Sequence, residues 1–316
     1  MNIEKNDAIL VTGATGFLGS NVMKQLEKQG YQQIIGLSSK DYDLREQTEV
    51  RKMFQEHKPA VVINLAAYVG GILADKKYPA KFFDDNILFG TLVFQEAYKS
   101  KVKKLICCMC GCSYPAKAPN PISEKDLWNG FPQVESAPYS IAKKNLAIQS
   151  WAYRKQYGFN SIVLLPGNMY GPYDNFSIED SHVIPGLIRK FYDAKKEQKK
   201  EVVVWGSGKP IRDFVYVEDV AEALIGAMEH YNESDFINIS SGVGITIKSL
   251  IEKISKLMEF DGKIVWDTSK PDGQIEKLFD VTLMKERLHF TPKTSLDDGL
   301  QKTKIWFEQN YHHARL

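Results

Sequence analysis

The sequence predicts an α/β protein built on one doubly wound parallel sheet, with a smaller lobe towards its C-terminal end. Five short apolar runs alternate with amphipathic stretches of helical length, which is the pattern of βαβ units wound right-handedly around one sheet. The runs are apolar at almost every position, as expected of strands that helices cover on both faces. A glycine-rich turn closes the first run, at the end of the sheet where such folds bind ligands.

The strands and helices follow in order along the first half of the chain. The apolar runs are AILVTG (8–13), QIIGLS (33–38), AVVINLA (60–66), KLICCMC (104–110) and SIVLLPG (161–167). The stretches of helical length between them are 17–29, 46–57, 80–100 and 136–157. The alternation weakens after Gly171, where we expect a helix at 182–193, the strand VVVWG (202–206) and a helix at 218–229. We therefore divide the chain into a first domain, 1–171, and a smaller lobe, 172–316, part of which returns to the core sheet.

Composition and charge exclude several classes of protein. With 316 residues, 43% of them hydrophobic and 25% charged, the chain can bury a large core and is neither collagen-like nor disordered. A formal net charge of +2 gives no reason to expect a nucleic-acid partner. No apolar run approaches the roughly 18 residues that a membrane span needs, and no signal-peptide pattern opens the chain. We therefore expect no membrane partner.

The four cysteines, Cys107, Cys108, Cys110 and Cys112, lie within six residues and cannot join distant parts of the fold. They indicate a reduced compartment, for which we expect the cytoplasm. Zinc sites usually draw their ligands from two separated pairs, so thiols at the end of a buried strand are favoured and no metal site is expected.

Three glycines mark a candidate dinucleotide site. Gly13, Gly16 and Gly19 follow the first strand at three-residue spacing and open the first helix. Glycines in this position let the backbone approach a pyrophosphate, towards which the helix N-terminus directs its free N–H groups. The alternative is an incidental glycine-rich turn, which the position between strand and helix disfavours.

The end of the second strand indicates which cofactor is preferred. An NAD site carries an acid about twenty residues after the glycines to bind the ribose hydroxyls. Here the strand ends in Leu37, Ser38, Ser39 and Lys40, without an acid among them. Two hydroxyls and a cation suit a ribose 2′-phosphate, so NADP(H) is favoured over NAD(H).

Tyr139 and Lys143 are the candidate proton-transfer pair. Four residues apart on a predicted helix, they share one face. An ammonium beside a phenol favours the phenolate and lowers its pKa, which suits the phenol to give or take a proton near neutral pH. The spacing is common on helices, but in combination with the glycine turn it becomes specific.

Several further segments, together with these motifs, resemble one family. They are GATGFLG, NLAAYVGGI, the cysteine-rich strand end followed by YP, PYSIAKKN, PGNMYGPYDNF, SHVIPGLIRKF, VWGSGKPIRDFVYVEDVA and KPDGQIEKLFDVT. Over nearly the whole chain they resemble extended short-chain dehydrogenases/reductases, which have a Rossmann-type sheet, and among these the GDP-L-fucose synthase family. That family epimerises GDP-4-keto-6-deoxymannose at C3 and C5 and reduces C4 with NADPH. The resemblance thus implies an NADP-dependent enzyme acting on a GDP-linked 4-keto sugar.

The resemblance also implies roles for individual residues. Tyr139 corresponds to the general acid that protonates the C4 oxygen, and Lys143 to the lysine that tunes it and bonds the nicotinamide ribose. Cys112 and His182 correspond to the acid and base of epimerisation. The residues expected to contact the cofactor are Gly13, Thr15, Gly16, Phe17, Leu18, Gly19, Ser38, Ser39, Lys40, Leu65, Ala66, Ala67, Tyr139, Lys143, Pro166, Asn168, Met169 and His182. Those expected to contact the GDP-sugar are Val69, Gly70, Gly71, Asn168, Val183, Lys190, Trp205, Arg212 and Lys277, with cations on the diphosphate and an aromatic ring on the nucleotide.

One catalytic position departs from the family. Where the family has a Ser or Thr that hydrogen-bonds the keto oxygen, this sequence has Cys110, followed by Gly111. A thiol is a weak donor, so we expect slower reduction or a substrate that sits differently. The changed neighbours also leave the epimerase role of Cys112 open. Two alternatives follow: a C4 reductase of a GDP-4-keto hexose or heptose that another enzyme epimerises, and a non-catalytic protein that senses NADP on the same fold.

The resemblance implies a homodimer packed through the two long helices at 80–100 and 136–157. The first of them has more apolar residues than one core-facing stripe needs, which is compatible with an intersubunit face. Burial of the same residues against the sheet is the alternative. The residues concerned are Phe82, Phe83, Leu88, Phe89, Leu92, Val93 and Phe94.

Overall fold

Strands and helices alternate through the first half of the chain in the computed structural model, which describes residues 2–270 and 272–316. In chain order they are β1 (Ala8–Thr12), α1 (Phe17–Lys28), β2 (Gln33–Leu37), α2 (Gln47–His57), β3 (Val61–Asn64), α3 (Ile72–Lys77), α4 (Pro79–Lys99), β4 (Lys104–Cys108), α5 (Ala137–Tyr157) and β5 (Ser161–Pro166). Three short 3-10 helices, Gly111–Ser113, Glu124–Trp128 and Val134–Ser136, lie between β4 and α5.

The second half has shorter strands. Its elements are β6 (Asn168–Tyr170), α6 (Val183–Lys196), β7 (Glu201–Trp205), β8 (Ile211–Tyr216), α7 (Val217–His230), β9 (Ile237–Ile239), β10 (Gly244–Thr246), α8 (Ile247–Leu257), β11 (Lys263–Asp267), β12 (Glu276–Lys277), α9 (Thr282–Arg287) and α10 (Leu296–Asn310). The predicted helices are present with ends shifted by at most three residues.

A six-stranded parallel sheet with the order β2-β1-β3-β4-β5-β9 forms the centre of the fold. Alternate residues of each strand face two cores: Ile9 and Val11 of β1 pack with α1 and α7, while Leu10 packs with α2, α4 and α5. Burial on both faces explains the continuous apolar runs. The predicted doubly wound α/β fold is confirmed.

The strand order reverses between β1 and β3, which places a crevice at the carboxyl ends of these two strands. The glycine turn after β1, the loop after β3 and the turn after β4 all lie at this edge. The strand predicted over 104–110 ends earlier, at Cys108. The amide of Met109 still donates to the carbonyl of Leu164, 2.8 Å away, and Cys110 then leaves the sheet.

A second core lies in the smaller lobe. There α6, α8 and α10 pack together with β7 and β8 around buried aromatic and aliphatic side chains such as Phe191 and Phe307. Strand β8 pairs with β6, β10 and β12, and β7 pairs with β11. Strand β9 and helix α7, which follow residue 171, belong to the central sheet and its core. The division of the chain into two domains at residue 171 stays a prediction. Within the described ranges, no helix is both long and apolar enough to cross a membrane.

Candidate active site

The glycine turn after β1 fits the phosphates of a dinucleotide. Gly13 has a φ of 66°, and a Cβ there would lie 3.0 Å from the amide nitrogen of Ala66. A Cβ on Gly19 would lie 2.1 Å from the carbonyl oxygen of Gly13, so α1 packs directly on the turn. A Cβ on Gly16, the residue just before α1, would have only the carbonyl oxygen of Gly13 within 4 Å. Its outer side is open, and the free N–H groups of the first turn of α1 are available to an anion.

The turn after β2 carries the residues predicted to select the cofactor. The amide and the hydroxyl of Ser38 both donate to the carboxylate of Asp41 at 2.8 Å. These bonds lower the pKa of Asp41, which is fully exposed. The hydroxyl of Ser38 is therefore occupied within the turn, and Ser39 and Lys40 are the groups that remain for a ribose phosphate. The acid at 41 lies just beyond the segment that the sequence analysis considered.

Two asparagines hold the loop that follows β3. The hydroxyl of Thr12 donates to the side-chain oxygen of Asn64 at 2.6 Å and accepts from the amide of Ala66 at 3.2 Å. In α4, the carboxamide of Asn86 accepts from the amide of Tyr68 and donates to its carbonyl, at 3.0 and 2.9 Å. Leu65, Ala66 and Ala67, the residues predicted for the cofactor, therefore lie in a loop with its backbone held at both ends.

The turn after β4 brings two thiols together. Cys110 is extended, and Cys112 lies in the 3-10 helix Gly111–Ser113. Their sulfur atoms are 3.0 Å apart, and the hydroxyl of Ser113 is 3.3 Å from the sulfur of Cys110. Burial raises the pKa of Cys110, but the bonds from Cys112 and Ser113 and two nearby ammonium groups lower it to about 7. The bond to Cys110 raises the pKa of Cys112 well above its ordinary value, so the negative charge of the pair resides on Cys110.

Tyr139 and Lys143 lie one turn apart near the start of α5, close to these thiols. Lys143 is buried, and its ammonium is one of the two that lower the pKa of Cys110. The ring of Tyr139 packs edge-on against Phe82, with centroids 6.2 Å apart. Burial, followed by charge at Cys110 and Cys112, raises the pKa of Tyr139 well above its ordinary value. The pKa of Tyr139 is thus raised and not lowered as its pairing with Lys143 predicts, because burial and the thiols dominate.

His182 precedes α6 and lies between two buried carboxylates. Its Nδ1 is 3.9 Å from Oδ1 of Asp174, whose charge raises the pKa of the imidazole, and the charge of Asp75 adds to this effect. Burial raises the pKa of Asp75 to about 6. In the described part of the chain, one oxygen of each carboxylate, Oδ1 of Asp75 and Oδ2 of Asp174, is buried without a hydrogen-bond partner. The charge of Asp75 also reaches Tyr139, which connects the two groups of residues.

Asp75 and Asp174 were missed by the sequence analysis. Asp75 lies three residues after the VGGI segment, and Asp174 lies within PYDNF. An acid in a segment otherwise poor in charge is a weak signal of burial, and burial itself depends on the fold. The VGGI segment approaches the chain before His182, since a Cβ on Gly71 would lie 3.3 Å from the carbonyl oxygen of Asp180. Two adjoining segments therefore carry four of the residues predicted to contact the substrate, namely Val69, Gly70, Gly71 and Val183.

Lys277 and Arg212 add positive charge near the thiols. They are paired neighbours on β12 and β8. The charges of Cys110 and Cys112 act on Lys277, whose ammonium in turn lowers the pKa of Cys110. Cys112 and Lys277 also line one small cavity, together with Gly111, Gln133 and Gln274. This pair of cations provides the charge that a diphosphate requires.

The other predicted residues lie in or near the smaller lobe. The ammonium of Lys190 donates to the carbonyl of Val203 in β7, 3.0 Å away, and Trp205 at the end of β7 is 59% exposed. Asn168 and Met169 are the first two residues of β6. The side-chain amide of Asn168 donates to the carbonyl of Asp213 at 2.8 Å. That bond ties β6 to β8. In residues 2–270 and 272–316, no group of three or more His, Cys, Asp or Glu side chains could hold a metal ion.

The glycine turn, the two thiols and the pair Tyr139 and Lys143 lie at the carboxyl ends of the central strands, and comparisons with known proteins identify the family. Residues 9–240 match the family described as the NAD dependent epimerase/dehydratase family. The chain belongs to this family. It is 42% identical to the putative GDP-L-fucose synthase 2 of Arabidopsis thaliana over 98% of this chain and 94% of that protein. The predicted membership of the GDP-L-fucose synthase family of extended short-chain dehydrogenases/reductases is confirmed.

Solved structures of related proteins have the same fold. A GDP-L-fucose synthetase from Naegleria fowleri bound to NADP superposes with a TM-score of 0.93 at 32% identity, covering all of this chain and 97% of that one. A GDP-6-OMe-4-keto-L-xylo-heptose reductase from C. jejuni superposes with a TM-score of 0.92 at 28% identity, covering 98% and 100%. The chain therefore shares the fold of these two proteins over nearly its whole length.

We predict that Asp75→Asn stabilises the protein at neutral pH but not in acid. The carboxyl has a pKa of about 6 in the folded protein and about 4 in the unfolded chain, so the wild type loses stability as the pH rises through this interval. The amide does not ionise. Relative to the wild type, the free energy of unfolding of the variant should therefore increase by about 2 kcal/mol between pH 4 and pH 7.5.

Urea unfolding at both pH values, at one protein concentration, measures this difference. The control is Asp84→Asn, because Asp84 is an exposed acid on the neighbouring helix α4. An equal change with pH in the wild type and in Asp75→Asn would contradict the prediction.

Proposed function

We propose that this protein uses NADPH to reduce the C4 ketone of a GDP-linked 4-keto-6-deoxy sugar. The observation that carries the proposal is the position of Tyr139 beside Cys110, at the carboxyl end of β4, with Lys143 one turn further along α5. An enzyme that reduces a ketone needs a proton donor at this edge of the sheet, where the glycine turn can hold a dinucleotide. The predicted enzyme class and cofactor are confirmed by the GDP-L-fucose synthase relatives and by a related structure bound to NADP.

The cofactor is held by the turn after β1 and by the turn after β2. The first offers backbone N–H groups at the start of α1 to the pyrophosphate, and the second offers Ser39 and Lys40 to the ribose phosphate. When bound, the reduced nicotinamide supplies the hydride. The choice of NADPH rests on the cation at position 40, since the carboxylate of Asp41 is bonded to Ser38.

Tyr139 donates the proton that completes the reduction. Its raised pKa keeps the phenol protonated at neutral pH, so a proton is present before charge develops on the C4 oxygen. Transfer occurs as the oxygen becomes an alkoxide, which is a stronger base than a phenolate. The ammonium of Lys143 then lies one turn away, where it stabilises the phenolate that remains.

Cys110 occupies the position where the family has a hydroxyl. As a thiol it is a weak donor to the C4 oxygen, and as a thiolate it opposes negative charge on that oxygen. With a pKa of about 7, it is partly ionised at neutral pH. Reduction is therefore slower than with a hydroxyl at this position, and acid favours it.

A second candidate function is reduction of C4 without epimerisation, on a GDP-4-keto hexose or heptose. The specific observation is that the sulfur of Cys112 lies at hydrogen-bonding distance from Cys110 and that the pKa of its thiol is strongly raised, so the thiol stays protonated at neutral pH and cannot accept a proton from carbon. The similarity to the C. jejuni heptose reductase supports the same alternative. In favour of epimerisation, His182 has a carboxylate beside it that stabilises an imidazolium acid. The main proposal therefore includes epimerisation at C3 and C5 in addition to reduction at C4.

We predict that Tyr139→Phe reduces turnover of GDP-4-keto-6-deoxymannose by about a hundredfold to ten-thousandfold, because it removes the proton donor. Binding of NADPH, followed by its fluorescence, should stay within about twofold of the wild type. Tyr157→Phe, at the exposed end of the same helix, is the control and should retain full turnover. Tyr139→Phe with wild-type turnover would contradict the proposed reaction.

Deuterated water distinguishes the two candidate functions. We expect the product of GDP-4-keto-6-deoxymannose and NADPH to carry solvent deuterium at C3 and C5, because epimerisation exchanges these hydrogens. NMR of the purified product measures the incorporation, and the oxidation of NADPH in the same sample measures reduction. A reduced product without deuterium at either carbon would assign the reductase-only function for this substrate.

The predicted homodimer through α4 and α5 is part of the proposal. Of the seven apolar residues noted in α4, three, Phe82, Val93 and Phe94, are buried in the chain's own core, and Leu88 stays exposed. On α5, Ile148 and Trp151 are 47% and 53% exposed. These exposed side chains are the expected contacts between the two chains.

The predicted location in the cytoplasm stays a prediction, supported by four free cysteines.

We predict that light scattering at micromolar protein concentration gives the molecular mass of two chains. Ile148→Glu should dissociate the dimer, since it introduces a charge into an apolar contact. Ile305→Glu, an equally exposed position on α10, is the control and should leave the dimer intact. A wild type that scatters as one chain would exclude the dimer.

A further inference from the structure

Two thiols of this site are placed as a reacting pair. The sulfur atoms of Cys110 and Cys112 are 3.0 Å apart, about 1 Å more than a disulfide bond. The 3-10 turn that carries Cys112 is packed against a buried ring, since a Cβ on Gly111 would lie 2.7 Å from the edge of Phe279. The sulfur atoms are therefore neighbours because of the fold and not only because of sequence spacing.

The surroundings of the pair favour a nucleophilic sulfur at Cys110. The charges of Lys143 and Lys277 both act on it, and Cys112 and Ser113 are at hydrogen-bonding distance. A thiolate, and not a thiol, attacks oxidants. Reactive cysteines that are reversibly oxidised combine this property with partial exposure and a second thiol nearby.

The pair is also accessible, in contrast to the other two cysteines. Cys110 and Cys112 are partly exposed, and Cys112 lines a cavity with Lys277. Cys107 and Cys108 are buried in β4, where burial raises the pKa of each to about 12. The chain thus contains two inert thiols beside the reactive pair, which serve as internal controls.

We propose that Cys110 and Cys112 are a site of reversible oxidation, at which a hydroperoxide converts the two thiols into an intramolecular disulfide. The thiolate of Cys110 attacks one oxygen of the peroxide, the O–O bond breaks, and the sulfur becomes a sulfenic acid while the other oxygen leaves as water or an alcohol. The sulfur of Cys112 then attacks the sulfur of Cys110, the S–O bond breaks, and the hydroxyl group leaves as water together with the proton of the Cys112 thiol. The two sulfurs are oxidised by two electrons in total, and the peroxide is reduced by two.

The disulfide changes the site at its centre. It removes the charge and the S–H group that lie beside Tyr139 and draws the two sulfurs closer together. The loss of ketone reduction that we expect from this change rests on the proposed function, whereas the formation of the disulfide does not. A thiol reductant reverses the bond by exchange and restores the dithiol.

The experiment follows the oxidation state of each cysteine in the full-length protein. The protein is treated with hydrogen peroxide, its free thiols are alkylated with N-ethylmaleimide under denaturing conditions, and the remaining disulfides are reduced and labelled with iodoacetamide. Trypsin releases all four cysteines in the peptide LICCMCGCSYPAK, so fragmentation on either side of Met109 is needed to assign the labels. We expect iodoacetamide on Cys110 and Cys112 and maleimide on Cys107 and Cys108.

Three variants test the order of the steps. Cys112→Ser should stop at a sulfenic acid on Cys110, which dimedone traps, and Cys110→Ser should react with peroxide at least about tenfold more slowly. Cys108→Ala, which changes a buried thiol outside the pair, should still form the disulfide. Circular dichroism establishes that each variant is folded.

The results separate this proposal from the proposed function. Maleimide on all four cysteines after peroxide treatment would overturn the proposal, and so would a disulfide that appears only between chains on a non-reducing gel. Labels as expected in a protein that reduces no GDP-4-keto sugar would support the modification site and contradict the proposed function. In an active protein, turnover should fall in step with the disulfide and return with dithiothreitol.

Discussion

The chain leaves the central sheet at the end of β4 in a tight turn, and the candidate site depends on the packing of that turn. Met109 makes the last backbone bond to β5, and the next residues form one turn of 3-10 helix. Gly111 allows this turn to lie against the ring of Phe279, and the hydroxyl of Ser113 donates to the carbonyl of Ser140 at the start of α5. The sheet, α5 and the segment after β12 are therefore held together at the point where the ionisable groups meet.

The charges at this point favour different protonation states of neighbouring groups. A thiolate at Cys110 is stabilised by the ammonium groups of Lys143 and Lys277, yet it raises the pKa of Tyr139. In a poorly solvated site such interactions are strong, so the protonation of one group changes that of the next. Reduction of a ketone is favoured by a neutral Cys110, and attack on a peroxide by a charged one. The same residue thus links the chemistry of the site to pH.

The fold was predicted from local patterns, because each pattern arises from short-range structure. An apolar run such as AVVINLA is apolar throughout when helices cover both faces of its strand, and the sequence shows this directly. The strands β6, β9, β10 and β12 were missed, because two or three residues carry no periodicity, and the longer strands β8 and β11 were missed as well. Strand β4 ended two residues early, because the turn that follows it is held by Ser140 of α5 and by Phe279, which lie far away in the sequence.

The sequence by itself determined the doubly wound sheet, the glycine turn, the Tyr139 and Lys143 pair and the family, because these depend on residues close together in the chain. Only the tertiary structure decided that Asp75 and Asp174 are buried beside His182, that the phenol of Tyr139 has a raised pKa, and that charge resides on Cys110. The physical reason is common to all three. The energy of a charged group depends on its burial and on the charges that distant segments bring near it, and neither can be obtained from the spacing of residues along the chain.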